Sequence, residues 1–222
     1  EVVNSSRREI NETYEMQWWK NRHVINHCNE MIVSLEEVSE NPKKLDIIFR
    51  AYNDGIAIRY RFPDQENLDG FIIEEDLTEF VFADDYTWWS ANGEKDNLGP
   101  FSINAASSPV LTPMVLQCAS DLYLGIHEAA IYDFANFKIK RASNPNAFQC
   151  DLQGSSEAKT GMQTSWRVIF VGETPGDLVE SNLLVNLNPP SKIEDTSWIK
   201  TGLSMWDWRV WGYRAPDGFV YG

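Results

Sequence analysis

Hydrophobic and polar positions alternate most cleanly between residues 45 and 62. Leu45, Ile47, Phe49 and Ala51 alternate with Asp46, Ile48, Arg50 and Tyr52, the two-residue period of a strand. Asn53-Asp54-Gly55 follows and supplies residues that tolerate positive φ in a tight turn. Ile56, Ile58, Tyr60 and Phe62 then line one face while Arg59 and Arg61 line the other, and Pro63 ends the pairing. The pattern predicts a β-hairpin.

Shorter strand-like segments recur at irregular intervals: Met31 to Leu35, Gly70 to Ile73, Leu77 to Phe82, Pro113 to Gln117, Leu122 to Ile126, Phe137 to Lys140 and Thr164 to Gly172. In the last, Trp166, Val168 and Phe170 alternate with Arg167, Ile169 and Val171, so both faces are covered, as in an inner strand of two packed sheets. The nearest approach to a helical period is Asp177 to Leu187, where Asp177 is placed to cap; Val185 and Leu187 alternating with Asn186 and Asn188 keep a strand open there. Many strands with Gly, Pro, Asn and Asp turns predict an all-β sandwich over residues 1–190. Asn188-Pro189-Pro190-Ser191-Lys192 reads as a linker. Beyond it, Trp198, Trp206, Trp208 and Trp211 crowd a short apolar stretch that needs something to pack against, so residues 191–222 read as the beginning of a second domain.

Composition narrows the function. Nineteen basic against 33 acidic residues give a net charge of −14, a surface that repels phosphate backbones and argues against nucleic acid as partner. The acidic runs Glu74-Glu75-Asp76 and Asp84-Asp85 are short and read as solvated strand or loop ends. No apolar run approaches the roughly 18 to 20 residues of a membrane span. Glu1 to Arg8 lack a basic start followed by an apolar stretch, so no signal peptide is read there. Cys28, Cys118 and Cys150 lie far apart and leave the redox compartment open. His23, His27 and Cys28 stand close enough to suggest zinc, but without a second cluster the nonmetal reading is preferred. Nine Trp, eight Tyr and eleven Phe suit either a wide sandwich core or stacking against sugar rings.

Four blocks in order resemble glycoside hydrolase family 97. They are Tyr52-Asn53-Asp54-Gly55 through Phe62; Leu122-Tyr123-Leu124-Gly125-Ile126-His127-Glu128-Ala129-Ala130; Trp166-Arg167-Val168-Ile169 through Gly176-Asp177-Leu178; and Asn186-Leu187-Asn188-Pro189-Pro190 through Ser197-Trp198-Ile199-Lys200. The first is a generic hairpin. The last, followed by a Trp-rich segment, is specific, and the match spans roughly residues 30 to 222. Thr201 stands where the family more often has Pro, which makes the turn there less rigid.

The resemblance implies a large, galactose-mutarotase-like β-supersandwich, truncated at the first strand of a (β/α)8 catalytic barrel. It implies a calcium-dependent α-glucosidase or α-galactosidase acting on oligosaccharides, periplasmic or secreted from a bacterium. Within it, Glu128 corresponds to an acid that reaches from the sandwich and binds Ca²⁺, an ion that favours carboxylate oxygens. Read from residues alone, Glu128 either continues the apolar face of Leu122, Leu124 and Ile126 and needs a partner, or lies solvated beyond the strand's end. His127 points to the opposite side and reads as a hydrogen-bonded interior histidine. Trp206, Trp208 and Trp211 are candidate sugar platforms approaching the barrel's site from below or within, or else barrel core. Hydrolysis needs two carboxyl groups flanking the glycosidic bond, and by resemblance both are expected beyond Gly222. A self-sufficient carbohydrate-binding module and a scaffold that only braces the barrel are the alternatives.

Overall fold

A two-residue period becomes structure when neighbouring strands pair, and here nine join one antiparallel sheet. The computed structural model describes residues 1–17, 19–93, 96–200 and 202. Fourteen strands are described: β1 (Val2–Glu15), β2 (His23–Glu36), β3 (Lys44–Tyr52), β4 (Gly55–Arg61), β5 (Gly70–Ile73), β6 (Glu79–Val81), β7 (Thr87–Asn92), β8 (Asp96–Ser102), β9 (Met114–Ala119), β10 (Leu122–Ala129), β11 (Phe137–Arg141), β12 (Ala147–Leu152), β13 (Ser156–Lys159) and β14 (Trp166–Gly172). Two short helices follow, α1 (Pro175–Glu180) and α2 (Leu183–Leu187). The large antiparallel sheet runs β1-β2-β3-β4-β14-β10-β9-β7-β8; β11-β12-β6 forms a second layer packed on it, and β13-β5 is a separate pair. This is the all-β sandwich that the strand pattern predicts.

The predicted hairpin is β3–β4, with Tyr52 opposite Gly55 and Asp46 opposite Arg61. Its turn is fastened from outside: Val171 N–H donates to the Asp54 carbonyl at 2.9 Å, and Ser181 Oγ donates to Asp54 Oδ2 at 2.6 Å. Gly55 is needed for close approach, because a Cβ there would lie 2.3 Å from the Ile169 carbonyl oxygen and 2.7 Å from Leu183 Cδ2. Gly55→Ala is therefore expected to lower stability by about 1–3 kcal/mol through overpacking. Urea unfolding checks this; an unchanged midpoint would mean that β14 can move away.

The large sheet has an inner and an outer face. On the inner face, Trp88, Met114, Leu116 and Ile126 meet Phe80, Phe137, Ile139 and Phe148 of the second layer. On the outer face, Ile48, Ala57, Trp166, Val168 and Phe170 pack with Leu183 and Leu187 of α2. Much of the aromatic content is thus core. The alternation in β14 assigns its two faces to two cores, as its sequence predicts.

The outer face also carries charge. Glu30 accepts from Arg8 Nε at 2.6 Å and Arg50 Nε at 2.9 Å, and Asp46 accepts from Arg61 Nη2 at 2.6 Å. The Trp166 ring has the guanidinium of Arg59 4.2 Å and that of Arg50 5.0 Å from its centre.

The predicted helix is two helices broken at Ser181-Asn182, and its cap lies elsewhere than expected. Thr174 is the N-cap; Asp177, at the third helical position, returns a bond to the Thr174 N–H and completes a capping box. The Asn186 of the resemblance is structural here: it accepts from Tyr14 Oη at 2.8 Å and donates to the Ile25 carbonyl at 3.1 Å. The zinc reading of His23, His27 and Cys28 has no geometric basis. His27 and His23 lie with Glu9 (2.8 Å) and Glu15 (3.5 Å) on the exposed side of β2, while Cys28 is buried on the other.

The chain divides at Pro189 into two compact units, Glu1–Pro189 and Pro190–Gly222. In the second, turns are held by Ile199 N–H on the Thr196 carbonyl and Ser197 N–H on Asp195 Oδ1. Trp206, Trp208 and Trp211 lie outside the described residues. Among the described residues, no helix is long and apolar enough to cross a membrane.

Candidate functional site: a buried carboxylate at the end of β10

The strand that carries Leu122, Leu124 and Ile126 does not stop there. β10 continues to Ala129 because Ala129 pairs with Trp166, Glu128 with Arg167 and His127 with Val168. Side chains two apart share a face, so Glu128 follows Ile126 inward, where it is 6% exposed. The solvated reading of Glu128 does not hold.

Its cross-strand neighbour Arg167 is committed elsewhere. Arg167 Nε donates to Asp76 Oδ2 at 2.8 Å, Nη2 donates to the same oxygen, and Nη1 donates to Thr164 Oγ1 at 2.6 Å and to the Ser165 carbonyl. The other oxygen of Asp76 accepts from Thr78 N–H at 2.9 Å and Thr78 Oγ1 at 2.6 Å. Thr78 Oγ1 in turn meets Tyr60 Oη at 2.8 Å. The guanidinium also lies 5.3 Å from the ring centre of Tyr60 and 5.5 Å from that of Phe134. Burial pushes the Asp76 carboxyl upward, but the Arg167 charge and the Thr78 hydrogen bonds outweigh it and hold it below the ordinary range.

Glu128 has the opposite balance. Burial pushes its carboxyl up to about 7, and the Phe137 backbone N–H and the Arg167 charge offset only part of that. Its Oε2 is buried with no hydrogen-bond partner. Two acids flank one arginine: Asp76 is saturated and ionised, whereas Glu128 keeps an unused oxygen and titrates near neutrality. Such a carboxylate can take a proton or a cation. Burial first, and the Asp76 charge after it, push the thiol of nearby Cys150 far up and make it inert.

His127 faces the outer side, as its alternation predicts. Its Nδ1 lies 3.0 Å from Thr112 Oγ1, and burial lowers its pKa. Asp76, read from the sequence as part of a solvated acidic run, is instead 7% exposed and held by Arg167, and neither residue was read as part of a site. The available signal was an arginine on the fully covered strand 166–171, since a buried guanidinium requires an acid. Among the described residues no three His, Cys, Asp or Glu side chains are grouped as a metal site.

With this geometry in hand, comparison with known proteins is decisive. Residues 1–190 match the family description "Glycosyl-hydrolase 97 N-terminal". The chain belongs to glycoside hydrolase family 97. The part of a family 97 protein represented here is the amino-terminal β-sandwich domain. A retaining α-galactosidase of Bacteroides thetaiotaomicron is 24% identical over 259 aligned residues, covering 98% of this chain and 38% of that protein. A probable retaining α-galactosidase of Streptomyces bingchenggensis is 27% identical, covering 78% of this chain and 27% of that protein. Among solved structures, a family 97 enzyme from Pseudoalteromonas sp. strain K8 in complex with acarbose superimposes with a TM-score of 0.80 at 28% identity, over 90% of this chain and 32% of that one. A β-arabinopyranosidase shares the fold, with a TM-score of 0.72 at 19% identity. The chain thus spans only about a third of the length of its glycosidase relatives.

Proposed function

We propose that this chain is the amino-terminal part of a calcium-dependent α-glycosidase, an α-glucosidase or α-galactosidase that hydrolyses oligosaccharides. The sandwich braces the catalytic barrel and donates one calcium ligand, Glu128. Residues 191–222 form the linker and the beginning of that barrel, and the catalytic acid and its partner carboxylate lie beyond Gly222. The protein works in the periplasm or outside a bacterial cell.

The observation that carries this reading is the buried, unpartnered Glu128 oxygen within a domain matched to family 97 over residues 1–190. A hard cation coordinated by six to eight oxygens fits a carboxylate with one oxygen free of hydrogen-bond partners. One acid is too few, so the remaining ligands would come from outside the described residues. Bound calcium would supply a fixed positive charge at this carboxylate. The chain's own part is positional: β10 aims the acid, and Asp76 keeps Arg167 from claiming it. The curated relatives are α-galactosidases and the solved one holds acarbose, so both substrate classes stay in the proposal.

The test follows nitrophenol release from the α-glucoside and α-galactoside by the full-length protein, with and without a calcium chelator. Activity on one substrate that chelation abolishes is expected, and Glu128→Gln should require at least about tenfold more calcium for half-maximal activity. Chelator-resistant activity would remove calcium from the proposal. No activity on either substrate would leave the sandwich as a carbohydrate-binding module.

A further inference from the structure

Among the described residues, the second layer covers the inner face of the large sheet over β9, β10 and β14 and reaches Tyr60 of β4 through Thr78, but leaves β1 to β3 largely bare. Directly opposed residues share a face. Ile58, Phe49, Met31 and Arg7 therefore form one inner row, continuing the row of Glu128 and Arg167, and Ile56, Ala51, Asn29 and Glu9 form the next. These two rows floor a cavity of about 650 Å³. Ile56, in its middle, is 41% exposed. A smaller hollow of about 180 Å³ runs from the same Ile56 and Ile58 to residues 78–82, which contain β6. The shared isoleucines make the two hollows one trough, with β6 along its side.

β6 is the open edge of its sheet. It pairs with β12 on one side and with no described strand on the other. The Thr78 carbonyl accepts from Cys150 N–H and Phe82 N–H donates to the Asn146 carbonyl, so alternation turns the N–H and C=O of Glu79 and Val81 away from β12. Val81 is 64% exposed. An edge with no described partner beside a floor that is apolar over Phe49, Ile56 and Ile58 is a double liability, since each alone invites association.

We propose that an extended segment of the full-length polypeptide outside residues 1–222 fills this trough, joining the free edge of β6 as a further strand and laying apolar side chains on Phe49, Ile56 and Ile58. One added strand satisfies both features together. The chain spans 38% of one relative's length and 27% of another's, so relatives carry ample polypeptide outside the matched region. A second copy fits poorly, because β6 offers only the three residues Glu79–Val81 for pairing; a tethered segment gains effective concentration that a free partner lacks. A sugar fits poorly as well, because Phe49 is the only aromatic residue lining the larger hollow and Phe80, in the smaller one, is buried in the core.

The test places the photo-crosslinker p-benzoylphenylalanine at Ile58 and, separately, at Val81 of the full-length protein. The expected product is a cross-link within one molecule to a peptide outside residues 1–222, identified by mass spectrometry. A cross-link between two molecules, or cross-links confined to residues 1–222, would overturn the proposal. In parallel, Ile56→Glu should lower the melting midpoint of the full-length protein by several degrees, since it would put a charge under the added strand. An unchanged midpoint would show Ile56 facing water, and the trough open.

Discussion

Asp76→Ala is expected to cost about 3–5 kcal/mol of stability, because it strands a buried cation. Arg167 is 2% exposed and sits between the two layers of the sandwich. Thr164 Oγ1 and the Ser165 carbonyl would still accept from Nη1, but the carboxylate oxygen that accepts from both Nε and Nη2 would be gone. The loss also frees Thr78 Oγ1 and N–H, which both donate to Asp76. Replacing both members of the pair by apolar residues of similar volume should cost much less than the single change, which is the signature of desolvation rather than of lost attraction. Urea unfolding of the intact protein decides the matter. A loss below about 1 kcal/mol would mean that the guanidinium finds water or another acceptor.

That other acceptor is predictable. Glu128 lies directly across the β10–β14 ladder from Arg167. With Asp76 removed, Glu128 becomes the neighbouring acid that can answer the charge, and its pKa should fall from about 7 toward the ordinary carboxylate range. Asp76 is thus a positioning residue for Glu128. By occupying Arg167 it keeps the second carboxylate unpaired, and so open to a cation.

How much of this was legible in the sequence depended on whether one strand's side chains carried the pattern. The β3–β4 hairpin was legible because its period and its Asn-Asp-Gly turn are both local. The two-faced burial of β14 was legible because every position from Trp166 to Phe170 is large. β1 was not: Val2–Glu15 is largely polar and exposed, and it is a strand only because β2 supplies a full ladder beside it. β13 was missed for a related reason, since its buried Ser156 and Ala158 are small and carry no apolar pattern; β12 was missed although Phe148, Cys150 and Leu152 alternate with Gln149 and Asp151, and so were β7 and β8. The hairpin's apolar stripe was visible, but not that Ile56 and Ile58 would floor a bare trough; that depends on where the second layer ends. At the site, the family resemblance pointed to Glu128, whereas its burial, its lone oxygen and the Asp76–Arg167 pair depend on residues 91 apart in sequence.

Glu128→Gln should make the calcium-free protein more stable, by an amount that grows with pH. In the unfolded chain this carboxyl titrates near its ordinary 4.5; in the fold, burial holds it at about 7. The folded state therefore binds more protons between those values, and stability falls as pH rises through that window. Below it both states are protonated, and the acid is harmless. Above about pH 7 the folded protein carries a buried charge that the Phe137 N–H and Arg167 only partly offset, which costs about 3 kcal/mol relative to the neutral form. Glutamine keeps the shape and carries no charge, so the variant should match the parent near pH 4 and exceed it by about 3 kcal/mol near pH 8. The shifts of Asp76 and His127 are common to both proteins and cancel in the difference. Calcium supplies the functional arm of the same measurement. If Glu128 is a ligand of the full-length protein, saturating calcium should favour the ionised parent and narrow or reverse the gap, because a ligand that binds only the folded state stabilises it by mass action. A gap that persists unchanged with calcium would leave Glu128 a buried acid with no cation, and would remove the metal from this domain.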